Sequence, residues 1–162
     1  MAYDWSLLKS DDNMMVFDIT LGTGEVIDET GTAWGYLSTE SLGNNEFKTY
    51  YGSLNLIQNK TSIKENLIFH WIENNDNTFR FVWNVYTYED EENYQKVEEL
   101  FKSKSLYITV YGVTYNLGER SSTIKRNEYR CVNWYENSTE TQKSGAILKK
   151  TGETKRFYCN WR

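Results

Sequence analysis

Proline is absent from all 162 residues, where average usage of about 5% would place roughly eight. Its absence excludes Pro-rich linkers and any folding step limited by X–Pro isomerisation. Turn formation then rests on Gly, Asn, Asp and Ser, which cluster at Gly22-Thr23-Gly24, Gly43-Asn44-Asn45, Asn74-Asn75-Asp76-Asn77 and Asn137-Ser138. Cysteine is nearly as scarce. Cys131 and Cys159 are too few for a disulfide framework, and both fall in strand-like aromatic stretches. Two readings stay open for them, buried free thiols on neighbouring strands or one disulfide.

Histidine occurs once, as His70. It alternates with Ile68 and Ile72, which reads as a buried or rim imidazole with a satisfied hydrogen bond. Any Ser/His/Asp or Cys/His system would have to use it, and nothing local brings Cys131 or Cys159 alongside. A His/Cys zinc site is nearly excluded, because neither C-x-x-C nor H-x-x-x-H spacing occurs. EF-hand spacing is missing too, and Gly22-Thr23-Gly24 lacks the continuation of a dinucleotide or P-loop fingerprint. Among the acids, Asp11-Asp12 and Asp28-Glu29 read as turn residues and Glu89-Asp90-Glu91-Glu92 as a helix start; no catalytic carboxylate pair can be singled out. The sequence thus calls for no catalytic residue, no metal and no cofactor, and a non-enzymatic role is expected.

Long apolar runs are also lacking. None approaches the roughly 18 residues of a membrane span, and Met1 to Ser10 shows no basic stretch followed by an apolar one, as a secretory leader would. The expectation is a soluble protein in a cytoplasmic or virion setting. Basic charge is short in the first part of the chain: residues 1–115 carry 8 Lys/Arg against 18 Asp/Glu, whereas residues 116–162 carry 10 against 5, giving the net −5. A phosphate-seeking surface could form only in that second part, and a pI near 5.0 argues against nucleic acid as the partner.

Aromatic residues are abundant, with 6 Trp, 13 Tyr and 7 Phe. They occupy both faces of alternating segments. In Ser105 to Tyr111, Leu106, Ile108 and Val110 form one apolar face, while Tyr107, Thr109 and Tyr111 form the other. In Thr78 to Tyr88, Phe79, Phe81, Trp83 and Val85 share one face; Arg80, Val82, Asn84, Tyr86 and Tyr88 share the other. A sheet with one wet side has no need of an aromatic second face, so that face must meet a helix, a second sheet, a partner or a stacking ligand.

Further strands are expected at Met15 to Leu21, with a hairpin through the Gly-rich turn into Glu25 to Asp28, and at Ala33 to Ser38, Phe47 to Gln58 and Asn66 to Glu73. The last of these pairs with Thr78 to Tyr88 across the Asn-rich turn. Strands at Leu106 to Tyr115, Thr123 to Asn127, Glu128 to Tyr135, Ala146 to Lys150 and Lys155 to Trp161 follow. One amphipathic helix is expected at about 89–103, capped by Thr87 with Asp90. Its stripe of Tyr94, Val97, Leu100 and Phe101 needs a seat, for which Tyr86, Tyr88, Tyr107 and Tyr111 are the nearest candidates. The pattern over 1–162 describes a single-domain antiparallel β-sandwich, jelly-roll-like, with a closed up-and-down β-barrel carrying one helix as the alternative.

Aromatic β-surfaces with Asn and Asp alongside suit sugars, since ring faces stack on C–H faces and amides take hydroxyls. Tyr86, Tyr88, Tyr107, Tyr111 and Trp134 are the candidate ligand-binding residues. The leading reading is a recognition module that binds carbohydrate or a protein surface through exposed Tyr and Trp. Large aromatics also fill cores and subunit interfaces, so the alternative is a structural assembly protein: a homo-oligomer, or a phage or viral capsid, decoration or tail component. A barrel holding an apolar small molecule and a membrane-targeting toxin are the remaining readings.

Overall fold

The computed structural model describes residues 14–26, 30–39, 49–123, 129–136 and 138–162. Within them the alternating segments become strands β1 (Met14–Thr20), β2 (Gly22–Glu25), β3 (Gly31–Leu37), β4 (Ser53–Asn59), β5 (Ile63–Asn74), β6 (Phe79–Thr87), β7 (Leu106–Val110), β8 (Val113–Gly118), β9 (Ser122–Thr123), β10 (Arg130–Tyr135) and β11 (Thr154–Trp161). Two helices join them, α1 (Glu91–Ser103) and α2 (Thr139–Leu148). The strands form two antiparallel sheets packed as a sandwich, in the orders β4-β1-β11-β7-β8 and β2-β3-β5-β6-β10-β9. Neither sheet closes on itself, so the barrel alternative falls.

Alternation decides what the sandwich buries. Phe17 and Ile19 of β1, Ile108 and Val110 of β7, and Phe157 and Trp161 of β11 face Phe69, Phe81 and Trp83 of the six-stranded sheet in one continuous core. Its centre is aromatic: Phe69 meets Phe17, Phe81 and Trp83 edge-on at 5.0, 4.8 and 5.0 Å, a geometry that aligns ring edges with ring faces. Cys131 and Cys159 are both free and buried in this core. They lie on β10 and β11, which belong to opposite sheets rather than to neighbouring strands.

The β5–β6 hairpin turns as its Asn-rich stretch predicts, with Asn77 at a positive φ of 68° and Asp76 accepting from both the backbone N–H and the hydroxyl of Thr78. Between β7 and β8, Tyr111 and Gly112 have φ of 53° and 73°, the two positive values of a type I′ hairpin turn. Tyr111 therefore sits at the tip of the hairpin and does not continue the outer face of β7. Tyr88 likewise lies past the end of β6.

Helix α1 starts two residues later than expected, and its cap moves from Thr87 to Asp90. Asp90 is its N-cap and accepts from the Asn93 N–H at 2.6 Å, while the Asn93 side chain accepts from the Tyr88 N–H at 2.7 Å. Thr87 instead donates its hydroxyl to the Tyr129 carbonyl at 3.2 Å. The stripe is the expected one, but its seat is not. Phe101 packs on Trp83 and Trp161 at 5.7 and 5.3 Å, so the helix caps the inter-sheet core and leaves Tyr86, Tyr88, Tyr107 and Tyr111 to other neighbours.

Two further expectations are corrected. Beta strands β1 and β2 make no hairpin: β2 pairs with β3 in the other sheet, so the chain changes sheets at Leu21. The segment Ala146 to Lys150 is the end and exit of α2. Ser138 caps that helix by accepting from the Thr141 N–H at 3.0 Å, and buried Gly145 lets it lie against the Trp71 ring. Of the strand expected at Thr123 to Asn127, only Thr123 falls within the described residues, as the end of β9. Asp11-Asp12, Asp28-Glu29 and the turn at Gly43-Asn44-Asn45 lie outside the described residues.

Candidate functional site

The two outer faces differ in kind. On the five-stranded sheet, polar side chains that register places opposite one another satisfy each other: Asp18 takes two hydrogen bonds from Arg156 at 2.8 and 3.0 Å. Thr20 meets Thr154 at 2.8 Å, Thr109 meets Thr114 at 2.7 Å, and Asn116 donates to the Tyr107 hydroxyl at 3.4 Å. Cross-strand pairs of this sort are the ordinary stabilisation of a wet sheet face. The Arg156 guanidinium holds the Asp18 carboxyl below the usual carboxylate range.

The outer face of the six-stranded sheet carries an apolar cluster of its own, comprising Ala33, Leu37, Tyr51, Ile68, Ile72 and Val82, with Tyr86 and Trp134 packed against it. Under Tyr51 lies His70, stacked at 6.2 Å between ring centroids with its Nδ1 2.5 Å from the Tyr51 hydroxyl. Burial, aided by Arg80, pushes the imidazole down to about 3, and burial pushes the Tyr51 hydroxyl up. Both stay neutral at pH 7, and a single hydrogen bond joins the Tyr51 hydroxyl to Nδ1. His70 holds the cover in place on this face.

Beside that cover, β6 and β10 present Arg80, Asn84, Tyr86, Arg130 and Trp134. Arg80 lies over the Trp134 ring at 4.1 Å, and Arg130 lies over the Tyr86 ring at 5.0 Å while donating to its hydroxyl at 2.7 Å. Each guanidinium fixes its ring by a cation–π contact. Between the two rings, Asn84 is 6% exposed and flanked by Ile68 and Val132 in the ladder. Among the described residues, its Oδ1 is buried with no hydrogen-bond donor, and Arg80 Nε is buried with no acceptor. A buried carbonyl left unpaired costs about 1–3 kcal/mol. Such groups call for an explanation, and a ligand that donates is one.

The five aromatics expected to bind a ligand therefore do not form one patch. Tyr86 and Trp134 share the outer face of the six-stranded sheet. Tyr107 lies on the outer face of the other sheet under Arg162, at 5.3 Å. Tyr111 projects from the β7–β8 tip, where the buried Lys155 ammonium reaches its hydroxyl at 2.8 Å. Tyr88 stands alone near Lys64, at 6.0 Å. Asn84, Arg80 and Arg130 are additions, and one sequence signal could have found the first: a lone amide between Val82 and Tyr86.

A second polar group sits in the core margin. Arg120 pairs with Glu98 and donates to Asn133 Oδ1 at 2.8 Å, and the Cys131 thiol lies 3.3 Å from Glu98 Oε2. Burial works against the Glu98 charge, yet the Arg120 guanidinium holds its carboxyl below the usual range. Burial, then the Glu98 carboxylate, pushes the Cys131 thiol up to about 12, the reverse of what a nucleophile needs. Among the described residues no group of three His, Cys, Asp or Glu could hold a metal ion, and no helix is long and apolar enough to cross a membrane.

No curated protein and no solved structure matches the chain. A family model does, over residues 47–162, a span that takes in β4 to β11 and both helices and so covers the β6–β10 face with all five of its side chains. The chain belongs to the family that this model defines, described as a domain of unknown function, DUF7823.

Proposed function

We propose that the protein is a non-enzymatic recognition module that binds carbohydrate on the outer face of its six-stranded sheet, over β6 and β10. One observation carries the reading: Asn84 Oδ1 is a buried acceptor without a donor, set between two half-buried aromatic rings. Sugars offer both complements at once, C–H faces that stack on the rings and hydroxyl donors for the amide once the side chains over it move aside. Arg80 and Arg130 add donors for ring-bound oxygens. The non-enzymatic part is supported by the state of the remaining reactive groups, with His70 depressed to about 3 and the Cys131 thiol raised to about 12.

Calorimetric titration against a glycan panel tests this. Binding is expected in the micromolar to millimolar range, lost in Trp134→Ala and Tyr86→Ala and retained in Tyr111→Ala and Tyr107→Ala. A protein that binds no glycan at millimolar concentration, or that loses binding through Tyr111 or Tyr107, refutes the assignment.

A further inference from the structure

Open sheets have edges, and each unpaired edge is a template for another strand unless something guards it. Among the described residues, three of the four sheet edges are guarded. Strand β9 is two residues long, β2 is four residues long with Glu25 at its end, and β8 is packed against α2. The fourth, β4, is different. It runs seven residues, Ser53-Leu54-Asn55-Leu56-Ile57-Gln58-Asn59, with neither a charge nor a proline. A register shift near Leu56 and Ile57 kinks it, yet it presents two adjacent aliphatic side chains, Leu56 and Ile57, at 47% and 46% exposure. Beside it opens a hollow of about 200 Å³, as polar as it is apolar, lined by Leu54, Leu56 and Ile63 together with Lys64, Glu65 and Asn66.

We infer that β4 is an association edge whose occupant is β4 of a second copy, paired antiparallel across a two-fold axis so that the two five-stranded sheets run on as one. Charge selects this occupant. Two copies each of net charge −5 repel at most contacts, but an uncharged strand meeting itself places no like charges together. A two-fold contact is also self-complementary, so Leu56 and Ile57 of each copy cover those of the other. The contact adds valence to a recognition module without using the β6–β10 face.

Sedimentation velocity across micromolar to millimolar concentrations tests it. The expected result is a monomer–dimer equilibrium that rising salt does not weaken, because no ion pair holds it. Leu56→Lys and Ile57→Lys each raise the dissociation constant by at least about tenfold, equivalent to about 1.4 kcal/mol, with the thermal unfolding of the monomer unchanged, since both sites are open to solvent. Val113→Lys, at a comparably exposed position on the guarded β8 edge, leaves the dimer as it was. Overturning results are a monomer at every concentration, a dimer that survives both lysine variants, one that salt dissolves, or a monomer whose β4 pairs with an extended foreign peptide instead.

Discussion

Replacing Asn84 by leucine tests whether its amide is kept for a ligand or for the fold. Leucine has the same branching as asparagine, so the ladder between Ile68 and Val132 stays filled. The substitution removes an acceptor that has no donor, relieving about 1–3 kcal/mol. For a chain of this size each kcal/mol moves the midpoint by about 2–4 °C, so thermal denaturation followed by circular dichroism is expected to show Asn84→Leu melting several degrees above the parent. Glycan titration of the same variant is expected to show no binding. Stability gained while binding is lost is the mark of a group held unsatisfied for function. A lower melting temperature would mean that the amide has a structural partner, and a stabilised variant that still binds glycan would separate Asn84 from recognition; either refutes the reasoning.

Two other expectations concern the scaffold. In Gly145→Ala the new Cβ would stand 2.5 Å from Trp71 ring carbons. Trp71 is buried and stacked on Phe79 at 5.0 Å, so overpacking of about 1–3 kcal/mol outweighs the roughly 1 kcal/mol that alanine adds to a helix. The variant should unfold at lower urea, and an equal or higher midpoint would refute this. His70 has a folded pKa of about 3 against an unfolded value near 6.5. Its neutrality therefore contributes stability that is fully present above pH of about 6.5 and is lost as pH falls toward 3, since the unfolded chain then takes up a proton that the folded one refuses. Asp18 and Glu98 act in the same sense at lower pH, so the informative interval lies just below neutrality. Melting temperature should fall there more steeply in the parent than in His70→Leu; parallel curves would show that His70 is not the group.

Much of the architecture was legible because alternation is a local property. Leu106, Ile108 and Val110 face the core, the Asn-rich segment turns, and Tyr94, Val97, Leu100 and Phe101 are the buried side of α1, as their spacing required. What a segment packs against is not local. The stripe of α1 settles on Trp83 and Trp161 because the gap between the sheets is there, and no spacing in the sequence reports that gap. The change of sheet at Leu21 escaped for the same reason: Gly22-Thr23-Gly24 looks like a turn whether the chain doubles back or crosses over. Helix α2 was hidden by Gly145, a poor helix former whose presence follows from a tryptophan more than seventy residues earlier. For the site, residue type pointed to Tyr86 and Trp134 and equally to Tyr88, Tyr107 and Tyr111. Only the assembled sheets separate them, and Asn84 draws notice because its carbonyl is unpaired.

The pairing of β1 with β11, from Met14 opposite Asn160 to Thr20 opposite Thr154, also governs the order of events during synthesis. The middle of the five-stranded sheet joins the earliest described strand to the last, so this sheet cannot be completed until residue 161 has left the ribosome. Until then β1 offers one open edge, and Phe17 and Ile19 have half a core to sit in. Contacts so distant along the chain fold slowly, and exposed apolar strands in the waiting period are where aggregation begins. Yield of soluble protein should therefore depend more on how quickly β11 arrives than on the stability of the finished sandwich.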